Sequence, residues 1–268
     1  MTTTDRLPTV FIPHGGGPCF FMDPPAAAPH LWDRMAAYLR GLADDLPVRP
    51  KAILVISGHW ETVRPTVNAA PAPGLLFDYY NFPEHTYRLT YPAPGAPALA
   101  DRVADLLAAS GRPVDRETAR GWDHGVFIPL KVTFPDADIP VLQLSLVAGL
   151  DPAEHLAIGR ALAPLRDEGV LIVGSGMSYH NLGDFFGPRG DAASDAFDVW
   201  LTGAVADPAA RDAALTAWAA APFARVCHPR EEHLLPLMVA AGAAEGDPGV
   251  RDYADHIMGK AISGFRFG

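Results

Sequence analysis

Apolar residues cluster in short runs along the chain, and most of these runs lead directly into segments that contain glycine, serine or histidine. Runs of this length, rich in valine, isoleucine and leucine, predict buried strands that lead into loops. The four runs span residues 8–12, 52–56, 139–146 and 170–173. The third also follows a turn sequence, Pro135-Asp136-Ala137-Asp138, which supports its assignment as a strand.

Between these runs, hydrophobic residues recur with the period of a helix. In the first such segment Val103, Leu106 and Leu107 lie on one face. The segments predicted as helices are 98–110, 152–166, 193–205, 208–219 and 231–243. Strands that alternate with helices predict an α/β fold, with a central, mainly buried mixed sheet flanked by helices.

One segment, 62–96, does not follow this rhythm. Its prolines are interleaved with aromatic residues such as Phe77, Tyr79 and Tyr91, so it is too aromatic for a flexible linker. We expect an ordered, irregular excursion whose rings form a pocket wall. The sequence has no internal repeat and no composition shift that marks a boundary, so we expect a single catalytic domain over 1–268.

Composition narrows the function classes. The 21 basic and 31 acidic residues give a formal charge of −10, which argues against a nucleic-acid partner. Hydrophobic residues make up 49% and charged residues 19%, enough apolar material for a sizeable core. Only Cys19 and Cys227 are cysteines, and no apolar stretch reaches the roughly 18 residues of a membrane span. These features predict a protein of the cytoplasm with no membrane partner.

Five of the ten histidines lie where predicted elements end: His14, His59, His124, His180 and His233. Ligands bind open α/β sheets at the carboxyl ends of the strands, so we expect the active site there. A single histidine is usually structural, but several imidazoles at one edge indicate a metal site with open positions for substrate. Rival motifs are incomplete, since Gly174-Ser175-Gly176 belongs to neither a phosphate loop nor a nucleophile elbow.

Short segments spread in order over residues 11–243 resemble a known family. They are Phe11-Ile12-Pro13-His14-Gly15, Ser57-Gly58-His59-Trp60, Tyr91-Pro92-Ala93-Pro94-Gly95, Trp122-Asp123-His124-Gly125, Gln143-Leu144-Ser145, His180-Asn181-Leu182 and Glu232-His233-Leu234-Leu235-Pro236-Leu237. Together they resemble the class III extradiol ring-cleavage dioxygenases of the DOPA 4,5-dioxygenase type.

The resemblance implies a role for each of these histidines. Carried over, the metal ligands are His14, His59 and His233, with Glu232 as the alternative third ligand. His180 resembles the acid/base residue of the family, and His124 resembles a histidine that contacts substrate or supports the ligands. The first loop reads Pro-His-Gly-Gly-Gly-Pro where many bacterial relatives have Gly-His-Gly-Ser-Pro, so the resemblance does not specify the ring substituents.

The activity that this resemblance implies is the opening of a catechol ring by O₂ at a mononuclear non-haem metal, with a muconic semialdehyde as product. The expected partners are a small catechol and O₂, the cofactor is Fe²⁺, and Zn²⁺ is an alternative occupant of the same site. A homodimer is compatible with the sequence. Two other classes stay open: a zinc-dependent hydrolase on the same histidines, and a non-catalytic protein that binds a metal.

Overall fold

A mixed sheet forms the centre of the computed structural model, which describes residues 6–185 and 187–268. Its strands within these residues are β1 (Thr9–Pro13), β2 (Ala52–Thr62), β3 (Thr66–Asn68), β4 (Asp115–Glu117), β5 (Val141–Val147), β6 (Val170–Gly176), β7 (Gly249–Ile257) and β8 (Lys260–Phe267). Their order across the sheet is β4-β3-β5-β2-β6-β1-β8-β7. The predicted α/β fold with a central mixed sheet is confirmed.

Helices in the described residues connect and cover these strands. They are α1 (Asp33–Gly41), α2 (Pro97–Ala109), α3 (His124–Thr133), α4 (Pro152–Leu162), α5 (Asp191–Ala206), α6 (Pro208–Thr216), α7 (Ala224–Cys227) and α8 (Leu235–Ala243). Helix α8 is buried along its whole length and packs on α4 and β6. The contact is close because Gly159 and Gly242 lack side chains; a Cβ on either would collide with the backbone of the facing helix.

The four strands at the centre of the sheet are parallel. β2 pairs with β5 on one side and β6 on the other, and β6 also pairs with β1. All four predicted strands correspond to these elements, and their apolar side chains are buried. Because parallel strands end at the same edge, residues that follow β1 and β6 meet residues near the end of β2.

A C-terminal hairpin makes the sheet mixed. β8 pairs antiparallel with β1 and with β7, and Met258 and Gly259 form the connection. Both connecting residues have positive φ angles, 51° and 83°, as in a two-residue type I′ hairpin turn. The sequence pattern does not predict this hairpin, because β7 lacks a regular alternation of hydrophobic and polar residues.

Several predicted boundaries were wrong, and two of them concern the histidines at the sheet edge. β2 does not stop at residue 56 but continues to Thr62, with an irregular pairing to β5 between Ile56 and Glu61. His59 therefore lies within a strand and not in a loop after it. The last predicted helix, 231–243, begins only at Leu235, since residues 232–234 form a turn. A bilayer-spanning helix needs about 20 apolar residues, and no helix of the described segments meets that requirement.

Candidate metal centre

Three imidazole rings meet at the carboxyl edge of the sheet. His14 follows β1 directly, His59 lies in the irregular part of β2, and His233 precedes α8. The Nε2 atom of His59 lies 3.1 Å from Nε2 of His14 and 3.1 Å from Nε2 of His233. Nitrogens that each lie about 2.0–2.1 Å from one ion are separated by roughly 2.9–3.4 Å at ligand angles of about 90–110°. The spacing fits three donors to a single metal ion.

Glycines allow the segment before α8 to approach the sheet. A Cβ on Gly176 would overlap the carbonyl oxygen of His233, and one on Gly58 would lie 3.3 Å from the Cα of His233. In addition, the backbone N–H of Met177 donates to the carbonyl of His233 at 3.0 Å. The glycines around Ser175 thus serve close backbone packing, which brings His233 to the ends of β2 and β6.

In two of the three histidines, the second ring nitrogen has a partner that fixes the orientation of the ring. Ser175 donates its hydroxyl proton to the carbonyl of Gly125, so its Oγ accepts a hydrogen bond from Nδ1 of His14, 3.0 Å away. Nδ1 of His233 donates to Oε1 of Glu232 at 2.9 Å. A protonated Nδ1 leaves the lone pair on Nε2, so the Nε2 atoms of His14 and His233 are acceptors. Metal-binding histidines in proteins usually have such partners.

Burial keeps these rings neutral. It lowers the pKa of His14 well below its usual range, and the neighbouring His59 and His233 lower it further. Burial, followed by the proximity of His180 and His59, has the same effect on the pKa of His233. For His59, burial and the nearby His124 lower the pKa to about 3. Neutral imidazole is the form that binds metals, so the cluster is in its ligating state at neutral pH.

A carboxylate from the irregular aromatic segment joins this cluster. Asp78 accepts two hydrogen bonds from His124 on Oδ1, and its Oδ2 lies 3.5 Å from Nδ1 of His59. Burial opposes ionisation of Asp78, but the hydrogen bonds from His124 together with the charges of His124 and His59 lower the pKa of Asp78 overall. Asp78 therefore orients His124 and borders His59 at the same time.

On the other side, His180 stacks on His233 with ring centroids 3.4 Å apart. Its Nδ1 lies 3.0 Å from Oε1 of Glu232, the same oxygen that His233 contacts. Burial raises the pKa of Glu232, but the hydrogen bond from His180, a backbone hydrogen bond and the charges of His180 and Arg230 together lower it overall. Glu232 is thus an ionised acceptor shared by two histidines.

A second buried carboxylate supports the base of the site. Asp123 precedes α3 and accepts hydrogen bonds from Ser57 at 2.8 Å, Gln143 at 2.5 Å and Arg120 at 3.1 Å. Burial and the nearby Asp78 raise the pKa of Asp123. Because Ser57 also accepts from the backbone N–H of His59, this network ties the irregular part of β2 to α3.

The histidine cluster opens into a cavity of about 470 Å³. All five predicted site residues, His14, His59, His124, His180 and His233, line it. Its other walls come from the aromatic segment, the first loop after β1 and the turn of the hairpin, and include Trp32, Tyr79, Phe82 and Met258. The expectation that the aromatic excursion walls a pocket agrees with this structure.

Two residues of the site, Asp78 and Ser175, are not predicted by the sequence. Asp78 carries no local signal, because it is one aspartate in an irregular segment and its contact with His124 spans 46 positions. Ser175 lies in a segment that fits neither a phosphate loop nor a nucleophile elbow, whereas the structure places its hydroxyl between His14 and Gly125. Its position near the carboxyl end of a buried strand was the available signal.

The fold and the site together define an α/β protein with a cluster of histidines that could hold a metal ion and that faces a substrate-sized cavity. Comparison with known proteins gives its family: the chain belongs to the family described as the catalytic LigB subunit of aromatic ring-opening dioxygenase, whose model matches residues 8–264. Its class is thus that of metal-dependent ring-opening dioxygenases, as the resemblance implied.

Individual relatives agree with this assignment. Over its full length the chain is 38% identical to the dioxygenase tasH of Hapsidospora irregularis, of which it covers 87%. It is 45% identical to the 4,5-DOPA dioxygenase extradiol of Beta vulgaris, over 73% of this chain and 74% of the relative. A crystal structure of the uncharacterized protein JW3007 from Escherichia coli K12 matches 98% of this chain and 100% of its own, with 30% identity and a TM-score of 0.79.

Proposed function

We propose that this protein is an extradiol dioxygenase of the DOPA 4,5-dioxygenase type, which opens a catechol ring beside its two hydroxyl groups and yields a muconic semialdehyde. His14, His59 and His233 would hold one Fe²⁺ ion. The observation that carries the proposal is the convergence of three neutral imidazoles, whose Nε2 atoms lie 3.1 Å apart in two pairs at the wall of a cavity.

The choice of His233 over Glu232 as the third ligand follows from their contacts. Nε2 of His233 faces Nε2 of His59, whereas Oε1 of Glu232 already accepts from His233 and lies 3.0 Å from Nδ1 of His180. Turning Glu232 toward an ion would release both histidines. Glu232 is therefore better suited to orient them.

Fe²⁺ with three protein ligands would supply redox chemistry and open coordination positions for a catechol and O₂ together. Those positions stay open only if the other two histidines of the cluster, His124 and His180, do not bind the ion. His124 is held by Asp78 through Nδ1, which leaves its Nε2 as an acceptor on the cavity wall for a substrate hydroxyl. We assign His124 to substrate contact.

Proton transfer is assigned to His180. Its side chain is 20% exposed and lines the cavity, and Glu232 fixes its Nδ1. An imidazole in this position can accept the proton of a catechol hydroxyl and later return it to a departing oxygen. The stacking on His233 keeps the ring next to the ligands, where the reacting oxygens would lie.

Family membership favours this activity over the other two classes. A zinc hydrolase would use the same imidazoles, but the matched family and the named relatives are dioxygenases. A protein that only binds metal would not need two further oriented histidines on the cavity wall.

The test is anaerobic loading with Fe²⁺ followed by oxygen uptake with a panel of catechols. We expect about one O₂ consumed per catechol and a product that absorbs visible light, whereas Zn²⁺ gives no uptake because it has no redox chemistry. Equal turnover with Zn²⁺, or a cis,cis-muconate product, would overturn the proposal. His14→Ala is the ligand-deficient control, and His155→Ala is its match, since His155 is buried away from the cavity against Val147 and Asp151.

A further inference from the structure

The part of the cavity that extends away from the histidines has apolar walls. Trp32, Tyr79, Phe82, Met177, Leu182 and Met258 contribute to them. Among the described lining residues the ionisable carboxylate is Asp78, and both of its oxygens are already engaged by His124 and His59. A substituent on the ring of a bound catechol would therefore contact large aromatic rings and methionines.

Positive charge is missing from the same surface. None of the described residues that line the cavity is a lysine or an arginine. The basic residues within three positions of a lining residue are Arg34, Arg230 and Lys260, which pair with Asp255, Glu61 and Asp191. A substrate carboxylate would lose water without gaining a cationic partner, which is unfavourable in an apolar cavity.

The cavity is also much larger than a catechol ring. A cavity of about 150 Å³ is enough to hold benzene, and this one measures about 470 Å³. Cavities of roughly 300–1,000 Å³ typically hold drug-sized ligands. The volume therefore leaves space for a substituent of about one or two further rings after the catechol is seated.

The mouth of the cavity is apolar as well. Tyr80 is 80% exposed, Leu182 68% and Met258 40%, and all three line the cavity. Met258 has a positive φ of 51° in a turn that favours asparagine, aspartate or glycine. A methionine at this position costs turn stability, but it places a flexible thioether at the rim.

From these observations we propose that the substrate is a catechol with a large, uncharged, apolar ring substituent that extends toward the cavity mouth, and that Met258 contributes to this selection. This substrate class rests on the proposed ring-opening function. DOPA itself has an amino-acid side chain whose carboxylate would lie against the apolar wall, so the DOPA 4,5-dioxygenase type describes the ring-opening reaction here and not the ring substituent.

A matched set of catechols tests the proposal with the Fe²⁺-loaded protein. 3-(3,4-Dihydroxyphenyl)propanoic acid and its methyl ester differ by one methyl group and one charge, and 3,4-dihydroxyphenethylamine supplies a cation. We expect kcat/KM for the ester to exceed that for the acid and the amine by about tenfold or more, equivalent to about 1.4 kcal/mol. A 4-alkylcatechol series should gain roughly threefold to fourfold per buried methylene.

The variant Met258→Arg tests whether the residue at the rim of the cavity affects the choice between acid and ester. A cation at this position should raise kcat/KM for the acid relative to the ester by about tenfold. Val250→Arg is the matched control, because Val250 is 60% exposed and lies at the opposite end of the hairpin, where β8 pairs with the start of β1. It should leave the ratio of acid to ester unchanged.

The outcomes separate the two proposals. If no catechol in the set consumes O₂, the ring-opening function itself is wrong. If catechol is opened but the acid or the amine is used as well as the ester, or longer alkyl chains give no gain, the substrate class is wrong and the dioxygenase function stands. If Met258→Arg leaves the acid-to-ester ratio of kcat/KM unchanged, Met258 does not contribute to substrate selection.

Discussion

Asp78 accepts two hydrogen bonds from His124 on a single oxygen, one from the backbone N–H at 2.9 Å and one from Nδ1 at 2.8 Å. The two residues belong to different segments, the irregular aromatic excursion and the start of α3. The pair therefore fixes the aromatic wall of the cavity to a histidine that faces the substrate. It also selects the tautomer of His124 that has a free acceptor on Nε2.

Asp78→Asn should weaken catalysis and leave the metal bound. The amide keeps the shape but loses the charge that orients His124, and partners of this kind contribute about 10-fold to 100-fold. Steady-state kinetics should show a fall of that size in kcat/KM, with unchanged iron content. Asp138→Asn, which alters an exposed carboxylate paired with Arg49, should leave both unaltered. Unaltered kinetics in the Asp78 variant would contradict the orienting role.

Ser175→Ala should lower metal affinity. The hydroxyl keeps Nδ1 of His14 protonated and thereby presents the Nε2 lone pair, so its loss should cost about 10-fold to 100-fold in affinity. Competition with a chelator measures this. Ser194→Ala removes another buried serine hydroxyl, one that bonds Asp191 and Ala261, and should retain affinity. Equal affinities for the two variants would show that Ser175 has no effect on His14.

His180→Gln should separate proton transfer from metal binding. If His180 moves protons, kcat falls by roughly 10²-fold to 10⁴-fold, the usual contribution of a positioned acid/base, and the iron content stays full. Elemental analysis and single-turnover kinetics on the same sample give both values. Loss of metal as complete as in His14→Ala would instead make His180 a ligand.

The metal-free protein should lose stability as the pH falls from about 6.5 toward 3. Burial lowers the pKa of His14, His59 and His233 in the folded state, whereas in the unfolded chain they titrate near 6.5. Below that pH the unfolded state binds more protons, so each group costs up to about 1.4 kcal/mol of unfolding free energy per pH unit.

Urea unfolding at pH 8, 6.5 and 5 measures this dependence. His233→Asn should give a shallower slope because one titrating group is gone. His256→Asn, at a surface histidine whose side chain is 61% exposed, should keep the slope of the parent protein. An unfolding free energy that stays constant or rises between pH 6.5 and 5 would contradict the buried, neutral state of the cluster.

Local sequence patterns were sufficient to predict the four strands at the centre of the sheet. The apolar runs that became β1, β2, β5 and β6 are buried on both sides, so each has a continuous hydrophobic signature that does not depend on its neighbours. The same runs predicted that His14, His59 and His180 share one edge, and the structure brings them together.

Elements that depend on distant partners were not predictable in this way. α3 is almost wholly buried and contains Pro129, so it lacks both a helical period and a helix-forming composition. β3 and β4 have three residues each and are held by pairing with each other and with β5. The partners of the site histidines, Asp78 above all, follow from tertiary packing, which a single sequence does not display.

Isotope labelling of the product tests the central claim most directly. The Fe²⁺-loaded protein is given a catechol under ¹⁸O₂, and the ring-opened product is trapped at once for mass spectrometry. If His14, His59 and His233 hold the iron of an extradiol dioxygenase, the trapped product is a semialdehyde that retains every ring carbon and carries one atom of O₂ in its aldehyde group and the other in its carboxylate, and not a dicarboxylate. A product with one labelled oxygen, or with none, would contradict the account.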